Sequence, residues 1–500
     1  MDEDKSPLAA GYLPSVEEVD AIRSRNMERE VLITGINEEI ATLCARRRRL
    51  ITASTIGKAI IAPIRKIPVE VLEEILFQSI PSFLPESFEP GTLHPQDVCR
   101  LLGNVCKEWR TIVNDTPRLF SSLTITWETL LPNHVYQLLK KSKSYPLDIF
   151  IKPSYSWSFS ENVKRSKVFA MLHGELWRIR SLIAHTLLDP LFPPGFLLHA
   201  PLMQSFTHSR TEHSDHSHDL DLGGVYCPEL RSVTLKYSDN IVRIMTATPM
   251  QTVRHLQVDC DGPNALYFQF LNSLPHLVSL YWGHSYSTKQ PLEAPLAVTL
   301  QSLKALHVHT NESAMQLLSY LYAPSLESLE IDCHRGSPTP SMEGIIEVIC
   351  RDGVVKLRHL HLIFGAFQTL MIPMMLRKLD HLDTLIINQT LMSDHLLTAL
   401  AVPDQDFGTL CPKLTTLVIV DTEVPQDLFD KFVHSRMLAD SEEPAPGFVT
   451  CLKLHGRELL DDHIFQRCSQ THSATIHITC YDDPDPSEEY FPRTMWEHGY

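Results

Sequence analysis

The sequence of 500 residues lacks the patterns that mark most enzymes and membrane proteins. No stretch approaches the ~20 consecutive apolar residues that a helix needs to cross a bilayer. The 11 cysteines stand singly, without a C-x-x-C pair that would indicate a zinc or redox site. Glycine-rich phosphate loops, H-E-x-x-H and G-x-S-x-G are also missing. We therefore expect no cofactor, no catalytic residue and no membrane partner.

The chain also lacks an excess of basic residues. It has 44 Lys and Arg against 60 Asp and Glu, which gives a formal net charge of −16 at pH 7. Such a surface repels a phosphate backbone, so we expect no nucleic-acid partner. The first thirty residues are polar and contain no apolar core of a signal peptide. Together with the unpaired cysteines, this predicts a cytoplasmic or nuclear protein, or one found in both compartments.

A repeat of the form L-x-x-L-x-L dominates the chain from about residue 200. Successive copies are 23 residues apart at Leu230 and Val253 but 31 apart at Leu326 and Leu357, so the repeat is irregular. The copies lie at Leu230/Val233/Leu235, Val253/Leu256/Val258, Leu277/Leu280/Trp282, Leu303/Leu306/Val308, Leu326/Leu329/Ile331, Leu357/Leu360/Leu362, Leu382/Leu385/Ile387, Leu414/Leu417/Ile419 and Val449/Leu452/Leu454.

The spacing of these leucines predicts strands. The last two apolar residues of each copy are two positions apart, so they point to the same side of a strand. Proline often precedes the copy and forces an extended entry, as at Pro228 and Pro324. One unit cannot bury its own apolar face, so the units must stack. The fold class is therefore predicted to be α/β, with a leucine-rich-repeat solenoid of parallel strands joined by short helices.

The residues between the strand leucines should face away from the leucine core. In the stacked strands they form a row from Thr234 to Lys453, with neighbouring strands about 4.8 Å apart. An imidazole beside a carboxylate should have a raised pKa. Three interpretations remain open: a surface that binds a target protein, a solvated face, or a metal site of two histidines and a carboxylate. The candidate target-binding residues are Tyr281, His307, His309, Glu330, Asp332 and His361.

Residues Val16 to Ile61 are predicted to be helical. Apolar residues with alternating spacings of three and four mark a heptad seam along this segment. A short seam is compatible with a packing helix, a helical hairpin or self-association through a coiled coil. The seam contains Ile33, Ile36, Ile40, Leu43, Arg47 and Leu50.

A second motif follows this helix. The segment from Ile67 to Leu76 has a proline at its start, an acidic first turn and one apolar face, which predicts an amphipathic helix. A further helical stripe is formed by Val98, Leu101, Leu102 and Val105. It continues into Cys106-Lys107-Glu108-Trp109-Arg110, then Ile112-Val113 and Pro117-Arg118-Leu119-Phe120.

The order I-P-x-E-x-L-x-x-I-L, V-C-K-x-W-R-x-I-V and P-x-L-F resembles an F-box. The short heptad helix before it, together with Pro63-Ile64-Arg65-Lys66, resembles the version common in mushroom-forming fungi. Joined to the repeats, it resembles an F-box/leucine-rich-repeat protein. The segment 79–95 is longer than the usual link between the F-box helices, and Phe120 replaces a common tryptophan.

The resemblance implies a substrate receptor of an SCF-type ubiquitin ligase. Its partners would be a Skp-type adaptor, a cullin reached through that adaptor, and a target protein that the sequence does not identify. The alternative is an interaction scaffold whose F-box-like cap recruits no ligase. The adaptor contacts implied by the motif are Ile67, Pro68, Glu70, Val71, Leu72, Ile75, Leu76, Val105, Cys106 and Trp109.

The predicted organisation has six parts. They are a disordered segment at 1–14, a helical or short coiled-coil segment at 15–62, an F-box-like module at 63–120, a linker with atypical first repeats at 121–199, the solenoid at 200–470, and an acidic tail at 471–500.

Overall fold

The computed structural model describes most of the chain. The described residues are 13–80, 93–126, 131–152, 159–185, 198–209, 225–236, 250–260, 265–284, 297–310, 318, 320–333, 356–364, 372–388, 394–401, 410–420, 426–437, 449, 451–455 and 475–479. The segment predicted to be disordered, the long link between the F-box helices and the acidic tail lie mostly outside these residues. The chain divides into two compact units, Met1–Ile75 and Leu76–Tyr500.

The first unit contains one long helix. Helix α1 runs from Val16 to Ile61, as the sequence predicts. It begins with a capping box, in which the Glu18 amide donates to the Ser15 hydroxyl at 3.3 Å and the Ser15 amide donates to the Glu18 carboxylate at 2.8 Å. A 3-10 turn at Pro63–Lys66 follows, and helix α2 occupies Val69–Gln78.

Two short helices stand at the start of the second unit. Helix α3 is Pro95–Gly103, and helix α4 is Lys107–Asp115. The predicted stripe from Val98 to Val105 is not the buried face of this region. Pro95, Cys99 and Gly103 are buried instead. The Arg110 guanidinium ties the two helices together by donating to the Gly103 carbonyl at 3.0 Å.

Fourteen strands in the described part of the second unit form a single parallel sheet. They are β1 (Ser122–Ile125), β2 (Leu147–Ile151), β3 (Ile179–Ala184), β5 (Ser205–Ser209), β7 (Ser232–Lys236), β8 (His255–Cys260), β9 (Ser279–His284), β11 (Ala305–Thr310), β13 (Ser328–Cys333), β14 (His359–Phe364), β15 (Thr384–Asn388), β16 (Thr416–Val420), β17 (Cys451–His455) and β18 (Thr475–Thr479). Two-residue ladders join β4 (Leu198–His199) to β6 (Val225–Tyr226) and β10 (Val298–Thr299) to β12 (Leu321–Tyr322).

The predicted repeat is confirmed strand by strand. Leu306 pairs with Leu280 on one side and with Leu329 on the other, and Leu329 pairs in turn with Leu360. These four leucines are at most 1% exposed, so they form a continuous apolar interior. The sheet also exceeds the predicted limits of the solenoid, because it begins at Ser122 and its last described strand ends at Thr479. The early strands were harder to predict because they lack the full leucine template.

Short helices lie in the connections between strands. They are α5 (Pro132–Lys141), α6 (Phe159–Gly174), α7 (Ala265–Asn272), α8 (Ile372–Leu376), α9 (Asp394–Ala401) and α10 (Gln426–Arg436). Arg436 joins two of these connections, because its buried guanidinium donates to the carbonyls of Leu400, Leu410 and Cys411 at 3.0–3.3 Å. Among the described residues, no helix has the length and hydropathy needed to cross a bilayer.

Helix α3 covers the open edge of the sheet at β1. The Gln96 side chain donates to the Thr124 carbonyl and accepts from the Thr124 amide at 3.1 Å, as a neighbouring strand would. The buried Cys99 thiol donates to the Leu119 carbonyl at 3.1 Å. Exposed strand edges invite pairing with other chains, and solenoids require caps. Helix α3 therefore covers the first strand of the sheet in the position that a cap would occupy.

Candidate functional site

Helix α2 presents part of its apolar surface to solvent. Val71 is 51% exposed and Ile75 is 43% exposed, and Pro68 and Glu70 are exposed as well. Ile67, just before the helix, is half-buried. Five of the ten predicted adaptor contacts are therefore at least partly accessible on this element. Burial of such apolar side chains against another protein would add to stability.

Leu72 and Leu76 have a different role from the predicted one. They are only 4% and 1% exposed, so both side chains belong to the core. They lie one helical turn apart, on a side of α2 about 100° around the helix axis from the side that carries Val71 and Ile75. We therefore assign them to packing rather than to direct contact with an adaptor.

The second predicted group of contacts lies between α3 and α4. Val105 is 60% exposed, whereas Cys106 and Trp109 are half-buried. Cys106 is the N-cap of α4, because its sulfur accepts from the Trp109 amide at 3.4 Å. The sequence predicted all three as part of a helical bundle and its interface. The structure makes Cys106 a capping residue and leaves Val105 available for contact.

The predicted row on the sheet exists with the predicted register. Tyr281 pairs with His307, His307 with Glu330 and Glu330 with His361, while His309 pairs with Asp332. We call the face that carries these residues the polar face. It lies opposite the leucine core because its residues alternate with the buried leucines along each strand. All six predicted target-binding residues thus lie together.

Glu330 is the centre of this arrangement. One carboxylate oxygen lies 3.0 Å from Nδ1 of His307, and the other lies 3.3 Å from Nδ1 of His361. The Tyr281 ring leans against the His307 ring at a centroid distance of 4.4 Å. Burial alone would raise the pKa of Glu330, but the charge of His307 and the hydrogen bonds from both histidines outweigh burial. They hold that pKa well below its ordinary value.

A second acid–base pair, His309 with Asp332, lies two residues further along β11 and β13. Nδ1 of His309 is 2.8 Å from the Asp332 carboxylate, and this hydrogen bond raises the pKa of His309 against the opposing effect of partial burial. On the other side, burial raises the pKa of Asp259, although the charges of Lys236, His309 and His307 oppose that rise. The result is a continuous group of interacting acids and bases.

The accessibility of the polar face differs from the expectation. Glu330 is 7% exposed and His361 is 2% exposed, and the next residues in the row, Ile386 and Val418, are fully buried. Tyr281, His307, His309 and Asp332 remain half-buried. Side chains in register on adjacent strands stack against one another, which reduces their contact with water. The predictions that Glu330 and His361 contact a target directly, or lie on a solvated face, are therefore corrected: these two residues position their neighbours.

The metal interpretation gains no support from the described residues. No group of three or more His, Cys, Asp or Glu side chains among them has an arrangement that could hold a metal ion. The Glu330 carboxylate lies between the two histidines, and each imidazole contacts one of its oxygens through the Nδ1 atom.

Sequence reasoning missed a charged cavity at the edge of the sheet where the strands begin. Its volume is about 440 Å³, and its lining residues are Glu327, Lys356, Arg358, His381, Asp383 and Lys413. The Lys413 ammonium lies 2.8 Å from Nδ1 of His381, and Lys304 pairs with Glu327 at 3.1 Å. A signal was present, because the first variable position of the template is charged at Arg231, Arg254, Lys304, Glu327, Arg358 and Asp383.

Residues 64–126 match the F-box-like family model. The matched segment includes α2, α3, α4 and the first strand of the sheet. The chain therefore contains an F-box-like domain, followed by a parallel sheet of many strands. No curated protein is similar enough in sequence to give a match.

Two solved structures are similar over much of the chain. One is a protein from Bacteroides fragilis with 12% identity and a TM-score of 0.32, and the match covers 69% of this chain and 77% of that one. The other is TLR13 in its complex with ssRNA13, with 13% identity and a TM-score of 0.33, covering 78% of this chain and 59% of that one. These similarities are too weak to bear on function, so the repeat architecture rests on the strand register described above.

Proposed function

We propose that this chain is the substrate-recognition subunit of an SCF-type ubiquitin ligase, acting in the cytoplasm or nucleus. In this role the F-box-like domain docks on a Skp-type adaptor and through it on a cullin, while the leucine-rich repeats hold a target protein. The observation that carries the proposal is the F-box-like match at residues 64–126 directly before a repeat solenoid.

Exposed apolar side chains support docking of an adaptor. Val71, Ile75 and Val105 are 43–60% exposed, although each belongs to the matched motif. Burying such side chains contributes roughly 1.5–3 kcal/mol each. A partner with an apolar surface would therefore gain stability at each of these positions. Val105 lies just before α4, whose N-cap is Cys106.

The polar face supports binding of a target. Tyr281, His309 and Asp332 are accessible in part, and aromatic and charged side chains on a rigid sheet suit a protein interface. Buried Glu330 holds His307 in place beneath them. The chain would contribute no catalytic group, because it would act by bringing a target lysine close to a conjugating enzyme bound elsewhere in the complex.

The adaptor interface is tested by co-purification from cells with the full-length chain. Val71→Asp combined with Val105→Asp places a charge at two exposed apolar positions, so it should abolish recovery of the adaptor and the cullin while leaving folding intact. Met374→Asp is a matched control, because Met374 is 53% exposed and lies outside the F-box-like match. Leu72 is unsuitable for this test because it is buried and its substitution would disturb the fold.

The same measurement decides between the ligase subunit and the non-ligase scaffold. Recovery of adaptor and cullin with the intact chain and with Met374→Asp, but not with the double variant, supports the ligase assignment. Failure of the intact chain to retain either protein would leave the F-box-like helices with the capping role alone and favour the scaffold.

A further inference from the structure

Helix α1 carries an exposed row of apolar side chains that the proposed function does not use. Ile33, Ile36, Ile40, Leu43 and Leu50 are each 52–63% exposed. They follow one another at alternating spacings of three and four residues, which keeps them on one side of a helix that coils around a partner. Val19 and Ile22 continue the same row toward the N-terminus.

The kinds of residue in this row favour a particular partner. In heptad notation the apolar a positions are Val19, Ile33 and Ile40, and the apolar d positions are Ile22, Ile36, Leu43 and Leu50. The branched a residue Ile40 between the d residues Leu43 and Leu50 favours two parallel strands in the C-terminal part of the row. Asn26 also falls at an a position. A single asparagine there specifies a dimer and its register, because its amide is satisfied by the same residue of an aligned partner.

Charges beside the row match a second copy of the same helix. In a parallel pair, the residue before each a position faces the residue that lies five positions later on the partner. That rule puts Glu18 opposite Arg23 and Arg25 opposite Glu30. Both pairs have opposite charges when the two copies are parallel and in register.

We propose that α1 pairs with α1 of a second copy of this chain as a parallel, in-register, two-stranded coiled coil extending from Val19 to Leu50. Arg29 and Arg47 interrupt the apolar row. In a parallel pair each of them faces the same arginine of the partner, and this repulsion makes the pairing reversible rather than permanent. Their long apolar stems still cover the seam while the guanidinium groups reach water. The inference is independent of adaptor binding, since it uses only residues of α1.

The oligomeric state of the full-length chain tests the pairing. Light scattering during size exclusion should give twice the 56.9 kDa mass of one chain, with a shift toward the single mass on dilution. Ile33→Asp with Ile40→Asp should give the single mass at every concentration. The matched control is Thr34→Asp with Ala41→Asp, which adds the same charges at the same spacing on the outer side of α1 and should remain dimeric.

Two results would overturn the pairing. One is a parent chain that stays at the mass of one copy even when concentrated. The other is a dimer that survives Ile33→Asp with Ile40→Asp, because the contact would then lie elsewhere. Loss of the dimer in the Thr34→Asp and Ala41→Asp control would also contradict a contact through the apolar row, because these two residues lie on the outer side of α1. Circular dichroism of both variants establishes that α1 remains helical.

Cross-linking tests the parallel direction. In a Cys44→Ser background, Ile22→Cys places a thiol at a d position near one end of α1, where only parallel copies bring it to its equivalent. Mild oxidation should therefore give a disulfide-linked dimer with Ile22→Cys and far less with Ser24→Cys on the outer side. Equal cross-linking of the two variants, or none with Ile22→Cys, contradicts the parallel arrangement.

Charge reversal gives a second test of whether the two α1 helices are parallel and in register. Arg25→Glu would face Glu30 of the partner, so the dimer dissociation constant should rise about fivefold. Adding Glu30→Arg to the same chain should restore the parent value. A double variant that dimerises no better than Arg25→Glu alone would show that these residues do not face each other.

Discussion

At the scale of single residues, Glu330 shows how a charge can be kept inside the polar face. Each of its two carboxylate oxygens contacts a different imidazole, that of His307 or that of His361. A buried carboxylate without such partners would take up a proton or destabilise the fold. Because the two histidines belong to different strands, Glu330 links β13 to both β11 and β14.

Glu330→Gln should lower the free energy of unfolding by roughly 1–3 kcal/mol, since the buried partners lose their charged acceptor. Denaturant unfolding measures this loss. Glu327→Gln is the matched control, because the Glu327 side chain is 43% exposed and pairs with Lys304, which is 56% exposed. The control should change stability by less than about 1 kcal/mol. Equal losses in the two variants would contradict the central role of Glu330.

The lowered pKa of Glu330 also predicts the behaviour in acid. Its stabilising effect should be present above the ordinary carboxyl pKa of 4.5, and it should disappear as the pH falls through the lower pKa of the folded state. Glu330→Gln should therefore flatten the acid limb of a plot of unfolding free energy against pH.

His309 should produce the opposite dependence. Its pKa is raised by the hydrogen bond to Asp332, so the stabilisation is complete below the ordinary value of 6.5 and is lost as the pH rises through the raised pKa. Asp332→Asn should lower the pKa of His309 toward its ordinary value, and the decrease in stability with rising pH should then disappear. Titration of the His309 ring protons by NMR over about pH 5.5 to 8 measures the shift. An unchanged pKa in Asp332→Asn would refute the assignment.

At the scale of the strand, the spacing of leucines made the sheet predictable. Because the template fixes both which residues face the core and where each strand begins, the pairing of His307 with Glu330 follows from the sequence alone. Exposure does not follow, because it depends on the neighbouring side chains around each strand. That is why Glu330 and His361 were expected to be open and are buried.

The helices were predicted less well than the strands. Periodicity identifies large apolar residues, so it selected Val98, Leu101, Leu102 and Val105. The buried positions of α3 are instead Pro95, Cys99 and Gly103, and a search for large apolar residues selects none of them. The charged cavity was missed because its lining comes from corresponding template positions in successive repeats. No single repeat shows that pattern.

Gly283 in β9 gives a prediction about strand packing. A Cβ atom at this position would lie 1.7 Å from Oδ1 of Asp259 on the neighbouring strand. Gly283→Ala should therefore destabilise the protein by roughly 1–3 kcal/mol. Adding Asp259→Ala should recover most of the loss, because it removes the obstructing carboxylate.

The control for this prediction is Gly174→Ala, since a Cβ at Gly174 meets nothing within 4 Å. It should leave the denaturation midpoint nearly unchanged. If the two substitutions at 283 and 259 prove additive, the side chain of Asp259 is not what limits position 283.

At the scale of the whole molecule, the two proposed surfaces are encoded by different segments and should fail separately. Tyr281→Ala removes a partly accessible aromatic ring from the polar face and should weaken target binding about tenfold or more while adaptor recovery is unchanged. Proteins retained by the intact chain and lost in this variant are identified by mass spectrometry. Tyr136→Ala is the matched control, because Tyr136 is 51% exposed and lies on helix α5.

The reciprocal variant, Val71→Asp with Val105→Asp, should keep the proteins that Tyr281→Ala loses. It should also abolish their ubiquitylation in a reconstituted reaction. Loss of one common set of proteins in both variants would mean that the surfaces are not separable, and the division of roles between helices and repeats would have to be abandoned.

The uneven burial of the polar face has a consequence for how related chains can diverge. Ile386 and Val418 are fully buried, whereas Thr207, Thr234 and Gln257 lie in the same row and remain half-buried. Duplicated copies that acquire new targets should therefore accumulate replacements on the earlier strands, from β5 to β11. Positions 386 and 418, on β15 and β16, should drift only among apolar residues of similar size, as an interior does.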